Sequence, residues 1–291
     1  MSTLMDHATR ASAHPDARAR QKAGAPTPKV DFIEAGMAGP LVILVHSSVS
    51  GARQWRRLVD VLQTGFRVRA VNLYGYGATP PWSGARLQSL DDQADLIDAA
   101  IPDDADEIHL VGHSFGGAVA MKAAARLGAR VSRLVLIETN PFTLLQQAGR
   151  IEAFGEAWAL RDCIKTFGWT GQWALAAERF ADYWGGGGTW QAMPPDRRTA
   201  FTQALRPNFF EWDAVMSETT TAEGWEFLLP RDTLLISDPI TVLPVREIAA
   251  ILQRACPRWQ HHALPPGAGH MAPLTQPELV NPLVADFLRG A

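Results

Sequence analysis

The sequence of 291 residues lacks several features that mark other classes of protein. Its two cysteines, Cys163 and Cys256, are too few for a disulfide framework and have no nearby ligands for a zinc motif. Lys and Arg number 27 and Asp and Glu 30, so the formal net charge is only -3. This balance gives no electrostatic case for nucleic acid or an anionic membrane as the partner. No apolar run approaches the roughly 18 residues of a membrane span.

Large apolar side chains are also scarce near the N-terminus. Residues 1–29 are rich in Ala, Arg, His and Pro and contain few large apolar residues beyond Leu4 and Met5. A secretory signal needs an apolar segment of about 7–15 residues, which this stretch does not have. We therefore expect a disordered tail over residues 1–29 and, by default, a cytoplasmic protein.

From residue 30 onward, short apolar runs alternate with helical patterns. Continuous apolar runs are typical of parallel strands that are buried on both faces. They occupy residues 41–46, 66–73, 108–112, 133–138 and 233–237, and less clearly residues 259–264. Helical patterns occupy residues 54–63, 90–100, 116–127, 244–255 and 277–288. The alternation predicts an α/β fold, with a mostly parallel, doubly wound sheet and helices on both of its faces.

One long segment interrupts this alternation. Residues 139–224 contain no buried-strand run, but they hold six of the ten tryptophans. A structureless loop of this length is improbable inside a compact domain. We therefore predict a helical insertion at residues 139–224, between the two parts of an α/β core formed by residues 30–138 and 225–291.

The strongest chemical signal is Gly112-His113-Ser114-Phe115-Gly116-Gly117. It follows an apolar strand and opens a helix of small residues, which is the setting that a G-x-S-x-G nucleophile elbow requires. The sharp turn exposes the serine hydroxyl and directs the first free amides of the helix toward the reacting centre. Ser114 is therefore the predicted nucleophile.

A serine hydroxyl needs a general base, and the sequence offers eight histidines. His270 lies in a Gly/Pro-rich loop, residues 265–273, after the last strand and before the last helix. A loop at the C-terminal ends of the strands can bring an imidazole to Ser114. The other histidines fall in the tail, in predicted strands or within the elbow: His7, His14, His46, His109, His113, His261 and His262.

These motifs resemble those of α/β-hydrolase fold proteins with a helical cap. The likeness rests on residues 45–48, 72–77, 112–117 and 267–273, and it covers about residues 30–289. It implies the chain order nucleophile, acid, histidine, and it implies that residues 139–224 form the cap. It also implies an oxyanion hole made by the backbone amides of Ser48 and Phe115, although Ser47 replaces the usual glycine. His46, Ser47, His113 and Met271 are the residues expected to contact substrate.

Two carboxylates are candidates for the third member of the triad. Glu138 ends one strand, and Asp238 ends the next strand along the chain. The later position is the commoner one in the family, but Asp238 lacks the usual preceding turn and is followed by Pro239. Both residues stay candidates, because either could instead cap a helix or end a strand.

The sequence thus predicts a serine hydrolase that cleaves carboxylic esters through an acyl-enzyme on Ser114. The tryptophan-rich cap favours a small-molecule substrate with an apolar acyl or aryl group, and the chemistry requires no cofactor or metal. Three alternatives use the same fold: a carbon–carbon bond hydrolase, a cofactor-free lyase or peroxidase, and a signal receptor that binds a ligand and turns it over slowly.

Overall fold

The structure of the protein is a computed structural model that describes residues 28–290. A seven-stranded sheet runs through it in the order β1-β3-β2-β4-β5-β6-β7. β1 pairs antiparallel with β3, and every other neighbouring pair is parallel. The strands are β1 (Asp31–Ala35), β2 (Leu41–Val45), β3 (Arg67–Asn72), β4 (Ile108–His113), β5 (Val131–Ile137), β6 (Thr233–Ser237) and β7 (Gln260–Ala263). The predicted α/β class is confirmed, while residues 1–27 of the expected tail lie outside the described residues.

Two hydrophobic cores lie on the two faces of the sheet. Alternate residues of a strand point to opposite faces, and β2 shows this directly. Ile43 belongs to one core, whereas its neighbours Val42 and Leu44 belong to the other. All five residues of β2 are buried, which explains why its sequence is a continuous apolar run.

β1 was not among the predicted strands. Asp31–Ala35 lies at the edge of the sheet and is only partly buried, so it lacks the continuous apolar run that marks the central strands. Its pairing with β3 is a long-range contact that local sequence does not reveal.

Helices fill the connections between the strands. Those of the α/β core are Arg56–Leu62, Leu90–Ala99, Phe115–Leu127, Leu243–Ala255, Ala272–Thr275 and Pro277–Arg289, with short 3-10 turns at Ala52–Trp55 and Gly128–Arg130. None of the helices within residues 28–290 is both long enough and apolar enough to span a membrane.

The segment between β5 and β6, all of which the structure describes, contains helices and no strand. Its helices are Thr143–Gln147, Ile151–Trp169, Trp173–Gly185, Thr189–Ala192, Pro195–Ala204, Asn208–Met216 and Ala222–Leu228. We call this segment the helical insertion. Glu218 of the insertion pairs with Lys122 on the helix that follows β4, at 2.9 Å, so the insertion contacts that helix of the core.

Candidate active site

Ser114 sits in a strained turn between β4 and the helix Phe115–Leu127. Its backbone has φ 53° and ψ −121°, a conformation that non-glycine residues rarely adopt. The flanking glycines are required by space. A Cβ on Gly112 would lie 2.4 Å from the Gly116 carbonyl oxygen, and one on Gly116 would lie 2.3 Å from the carbonyl oxygen of His46. The turn therefore has the geometry predicted for a nucleophile elbow.

The structure brings Ser114 and His270 into direct contact. The Oγ of Ser114 lies 2.9 Å from Nε2 of His270, and Nδ1 of His270 lies 3.1 Å from Oε2 of Glu138. All three side chains are buried, with at most 4% of their surface exposed. The result is a continuous chain of hydrogen bonds from hydroxyl to imidazole to carboxylate.

The topology of the sheet explains this meeting. Ser114 and Glu138 directly follow β4 and β5, which are parallel neighbours, so both residues lie at the C-terminal edge of the sheet. The two strand ends are held in register by a hydrogen bond from the Ser114 amide to the Ile137 carbonyl, at 2.9 Å.

Two further hydrogen bonds hold the Glu138 carboxylate. The hydroxyl of Thr241 donates to Oε2 at 2.6 Å, and the backbone amide of Asp238 donates to Oε1 at 2.7 Å. These contacts leave Oε2 facing both Thr241 and His270. Thr241 is a positioning residue that the sequence analysis did not identify.

Asp238, the other candidate acid, has different partners. Its carboxylate accepts hydrogen bonds from the backbone amides of Gly267, at 3.1 Å, and Gly269, at 2.7 Å. Both glycines have positive φ, so this carboxylate fixes the shape of the loop that carries His270. The geometry therefore places Glu138 on the imidazole and Asp238 behind the loop.

Two backbone amides near Ser114 have no acceptor in the described part of the protein. They belong to Ser48 and Phe115, the residues predicted to form the oxyanion hole. The peptide between Ser47 and Ser48 is held from the other side, because Nδ1 of His46 lies 2.7 Å from the Ser47 carbonyl oxygen. This hydrogen bond also fixes the direction of the Ser48 N–H, because the Ser47 carbonyl and the Ser48 N–H belong to the same planar peptide group.

His46 is fully buried behind this loop and does not line the cavity. Its Nδ1 donates to Ser47, and its Nε2 accepts from the amide of Leu73 at 3.2 Å. Burial lowers the pKa of His46 from 6.5 to about 4, so the ring is neutral near pH 7. The expectation that His46 contacts substrate is therefore corrected, because both ring nitrogens are committed to backbone groups.

The low pKa of His46 predicts acid sensitivity. The unfolded state binds this proton more tightly, so the contribution of His46 to stability is complete above about pH 6.5 and is lost as the pH falls toward 4. Between pH 7 and 5 this loss amounts to about 2 kcal/mol. Urea unfolding should therefore show the wild type losing about 2 kcal/mol more than His46→Asn over that interval. Equal losses in the two proteins would contradict a buried, neutral His46.

His113 is likewise buried outside the cavity. Its Nε2 donates to the backbone carbonyl of His270 at 2.8 Å, and its Nδ1 accepts from the amide of Gln54 at 3.0 Å. Burial holds the pKa of His113 well below its usual value, so the ring is neutral. Like His46, it is corrected from a substrate contact to a residue that positions the loop of His270.

A narrow cavity opens onto the reactive atoms. Ser47 and Met271, two of the residues expected to contact substrate, line it together with apolar side chains of the insertion. Its volume is about 20 Å³, which is on the order of a single water molecule. Across the described residues, no group of three or more His, Cys, Asp or Glu side chains is arranged to hold a metal ion.

Trp184 closes one side of this cavity. Its ring stacks on the imidazole of His270, with the ring centroids 4.1 Å apart and the planes inclined by 26°. Trp184 lies near the end of Trp173–Gly185, directly before the glycine run at residues 185–188. The sequence predicted a tryptophan-rich insertion but could not indicate which ring would meet His270.

Three polar residues of the cavity were also missed by sequence reasoning. They are Asn140, Asn208 and Glu211, and each is at least 95% buried. Glu211 had a local signal, since a glutamate between Phe209, Phe210 and Trp212 interrupts an otherwise apolar run. A glutamate within an apolar run is seldom fully buried unless it is paired or has a functional role.

Comparisons with known proteins identify the family of the chain. The sequence pattern of the Alpha/beta hydrolase family matches residues 42–283. The chain is 39% identical over 105 residues to a pimeloyl–acyl-carrier-protein methyl ester esterase of Aromatoleum aromaticum, a match that covers 36% of this chain and 39% of that protein. It is 25% identical over 265 residues to a proposed carbamate hydrolase of Pantoea ananatis, covering 85% of this chain and 88% of that protein. The match to the esterase thus spans about two fifths of that relative's length.

Solved structures extend the likeness to most of the fold. One is MGS-M2, an alpha/beta hydrolase enzyme from a Medee basin deep-sea metagenome library. It superposes with a TM-score of 0.71 at 14% identity, covering 91% of this chain and 96% of that one. At this identity the likeness concerns the fold alone.

Proposed function

Because the chain belongs to the alpha/beta hydrolase family, we propose that it is a serine hydrolase that cleaves carboxylic esters. The observation that supports this most directly is the hydrogen-bond chain from Ser114 through His270 to Glu138. An activated serine, a base and a group that orients the base are the parts that acyl transfer needs.

In the first half of the reaction, the Oγ of Ser114 attacks the ester carbonyl carbon. Its proton passes to Nε2 of His270, which lies 2.9 Å away. The carbonyl oxygen becomes an oxyanion and accepts hydrogen bonds from the amides of Ser48 and Phe115, each worth roughly 3–4 kcal/mol. The tetrahedral intermediate then collapses, and His270 gives its proton to the departing alcohol.

In the second half, water replaces the alcohol. His270 takes a proton from the water, whose oxygen attacks the acyl carbon, and then returns a proton to Ser114 as the acid leaves. Glu138 stays ionised throughout. It accepts a hydrogen bond from the Nδ1–H group of His270, which selects the productive tautomer, and it stabilises the imidazolium that forms twice in each turnover.

The cavity lining supports a substrate with an apolar acyl or aryl group. Phe142 and Trp212 stack with their ring centroids 5.3 Å apart, and both line the cavity together with Phe180 and Val215. The Aromatoleum relative acts, by its name, on a methyl ester, which favours ester cleavage over the alternatives. Like that enzyme, this chain would hydrolyse a bond between an acyl group and a small alcohol.

The test of this function is a panel of p-nitrophenyl esters of increasing acyl length, assayed for release of p-nitrophenolate. We expect multiple turnovers, with kcat/KM rising as the acyl group grows from acetate to butanoate. A single slow turnover with tight binding would instead favour the receptor. Turnover of a vinylogous diketone, with every ester inert, would favour the carbon–carbon bond hydrolase.

We further expect the helical insertion to act as a cap that moves when ligand binds. The cavity of about 20 Å³ is too small for an ester, so the cap must shift to admit one. The glycine run offers a hinge, since Gly186 has φ 89° and Gly188 has φ 87°.

The stacked Trp184 should report this movement. Saturation with a phenylboronic acid, which adds to an active-site serine, should change the tryptophan emission, because Trp184 leaves His270 as the cap shifts. Trp184→Phe should abolish the change. Trp169→Phe is the matched control, since Trp169 is 84% exposed on the same insertion and its loss should leave the change intact. An unchanged wild-type spectrum, with binding shown by calorimetry, would contradict a moving cap.

A further inference from the structure

Three polar residues that line the cavity carry hydrogen-bond acceptors that ester hydrolysis does not use. They are the carboxylate of Glu211 and the side-chain carbonyl oxygens of Asn208 and Asn140. Their residues are 1%, 4% and 5% exposed. Buried polar atoms without partners are costly, so acceptors retained beside the reactive serine suggest that a ligand supplies the donors.

Glu211 is surrounded by neutral donors. Its Oε2 accepts from the Ser48 hydroxyl at 2.5 Å and from the Asn208 amide at 2.9 Å. Its Oε1 accepts from the Tyr76 hydroxyl at 2.8 Å, which leaves room for one more donor on that oxygen. Within residues 28–290, no Lys, Arg or His nitrogen lies within 4.0 Å of this carboxylate.

The two asparagines also line this cavity. Nδ2 of Asn208 donates to Glu211, and its Oδ1 has no partner in the described part of the chain. Nδ2 of Asn140 lies 3.3 Å from the Oγ of Ser114, and its Oδ1 is unpartnered in the same way. Burial raises the pKa of Glu211, although the hydrogen bonds from Ser48, Asn208 and Tyr76 act in the opposite direction. The polar wall is therefore rich in acceptors and holds one carboxyl group that has no cationic partner among the described residues.

A purely mechanical role does not account for this chemistry. Ser48 and Tyr76 belong to the core and Asn208 and Glu211 to the insertion, so their hydrogen bonds could simply fasten the two parts together. A neutral amide would serve that purpose without the cost of burying a charge, and it would not require an unpartnered Oδ1 on Asn208.

Building on the proposed ester hydrolysis, we propose that Glu211 and Asn208 form a subsite for a primary ammonium group of the substrate. The ammonium donates to the free position on the Glu211 carboxylate and to Oδ1 of Asn208, and it neutralises the buried charge. The substrate class is an amino-substituted ester whose apolar part packs against the aromatic side chains of the same cavity.

The contact between Glu211 and Ser48 also limits the spacing. Ser48 carries one of the two oxyanion amides, and its hydroxyl is bonded to Glu211. The ammonium group therefore lies only a few atoms from the ester carbonyl. A β-amino acyl ester has this spacing.

The test compares two esters that differ in one group. β-Alanine methyl ester and methyl butanoate are isosteric, with NH3+ in the first where the second has CH3. The wild type should hydrolyse the amino ester with a kcat/KM about 30-fold or more above that of methyl butanoate, and Glu211→Gln should abolish most of this preference. Equal kcat/KM values for the two esters in the wild type would overturn the proposal.

Glu218→Gln is the matched control. Glu218 is a buried glutamate on the same insertion, but it pairs with Lys122 and does not line the cavity. It should leave the preference of the wild type unchanged. If Glu211→Gln lowers the rates of both esters by the same factor, Glu211 only fastens the insertion to the core and the subsite is refuted. If that variant does not fold, Asn208→Ala should reduce the preference about tenfold, and an unchanged preference would refute the subsite.

A failure of ester hydrolysis is distinguishable from a failure of the subsite. If neither ester is cleaved, Ser114→Ala is titrated by calorimetry with β-alanine methyl ester. Binding that weakens about 30-fold in Ser114→Ala/Glu211→Gln would uphold the ammonium subsite without the hydrolase. No binding to Ser114→Ala, or equal binding by the double variant, would refute it.

Discussion

Replacing Ser114 with alanine is expected to lower kcat for p-nitrophenyl butanoate by at least about 10⁴-fold. The hydroxyl is the atom that forms the acyl-enzyme, and in the described part of the protein no other hydroxyl lies in hydrogen-bond contact with His270. The fold should survive, because the strain of the elbow lies in the backbone and alanine is smaller than serine. Circular dichroism and a thermal melt check that point.

The same residue should be the target of covalent inhibition. A serine-directed organophosphate should add one adduct, located on Ser114 by peptide mass spectrometry. Ser132→Ala is the control, since Ser132 lies on β5 and bonds to Glu107 and His109, away from the cavity. That variant should retain full activity and the same adduct. An adduct on a different serine, or none at high reagent concentration, would remove Ser114 from the mechanism.

The parts of this protein that could be predicted are those encoded by short stretches of chain. The buried parallel strands appear as apolar runs because both of their faces are covered, and the predicted α/β class and family are confirmed. The elbow at Ser114 is equally local, because its glycines are required within five residues of the chain. Only the edge strand β1, which is half exposed, was missed.

The parts that could not be predicted depend on how distant segments meet. Glu211 lies 163 residues from Ser48 in the chain, and nothing local to either residue encodes their contact. The stacking of Trp184 on His270 depends in the same way on how the insertion packs against the core. His46 and His113 show a related limit, since the sequence around a histidine is the same whether its ring faces the cavity or the backbone behind it.

The choice between Glu138 and Asp238 is the clearest case of such a limit. Both carboxylates end parallel strands at the same edge of the sheet, so their sequence settings are equivalent. What distinguishes them is the set of groups that each carboxylate contacts. Glu138 faces Nδ1 of His270 at 3.1 Å, whereas Asp238 accepts the amides of the loop that carries His270.

Glu138→Gln should therefore lower kcat by about 10³-fold or more, whereas Asp238→Asn should lower it by less than about tenfold. A glutamine can offer its NH2 group to Nδ1 and stabilise the wrong tautomer of His270, and it cannot stabilise the imidazolium; the equivalent loss in serine proteases is about 10⁴. An asparagine at 238 keeps one carbonyl oxygen for the amides of Gly267 and Gly269, so the loop is loosened but its histidine stays paired.

Both variants are checked for folding by circular dichroism and assayed under saturating ester. A larger loss in Asp238→Asn than in Glu138→Gln would reverse the assignment. Losses below about tenfold in both would mean that Ser114 and His270 work as a dyad. Glu138 would then only hold the segment after β6 in place, through its hydrogen bond with Thr241.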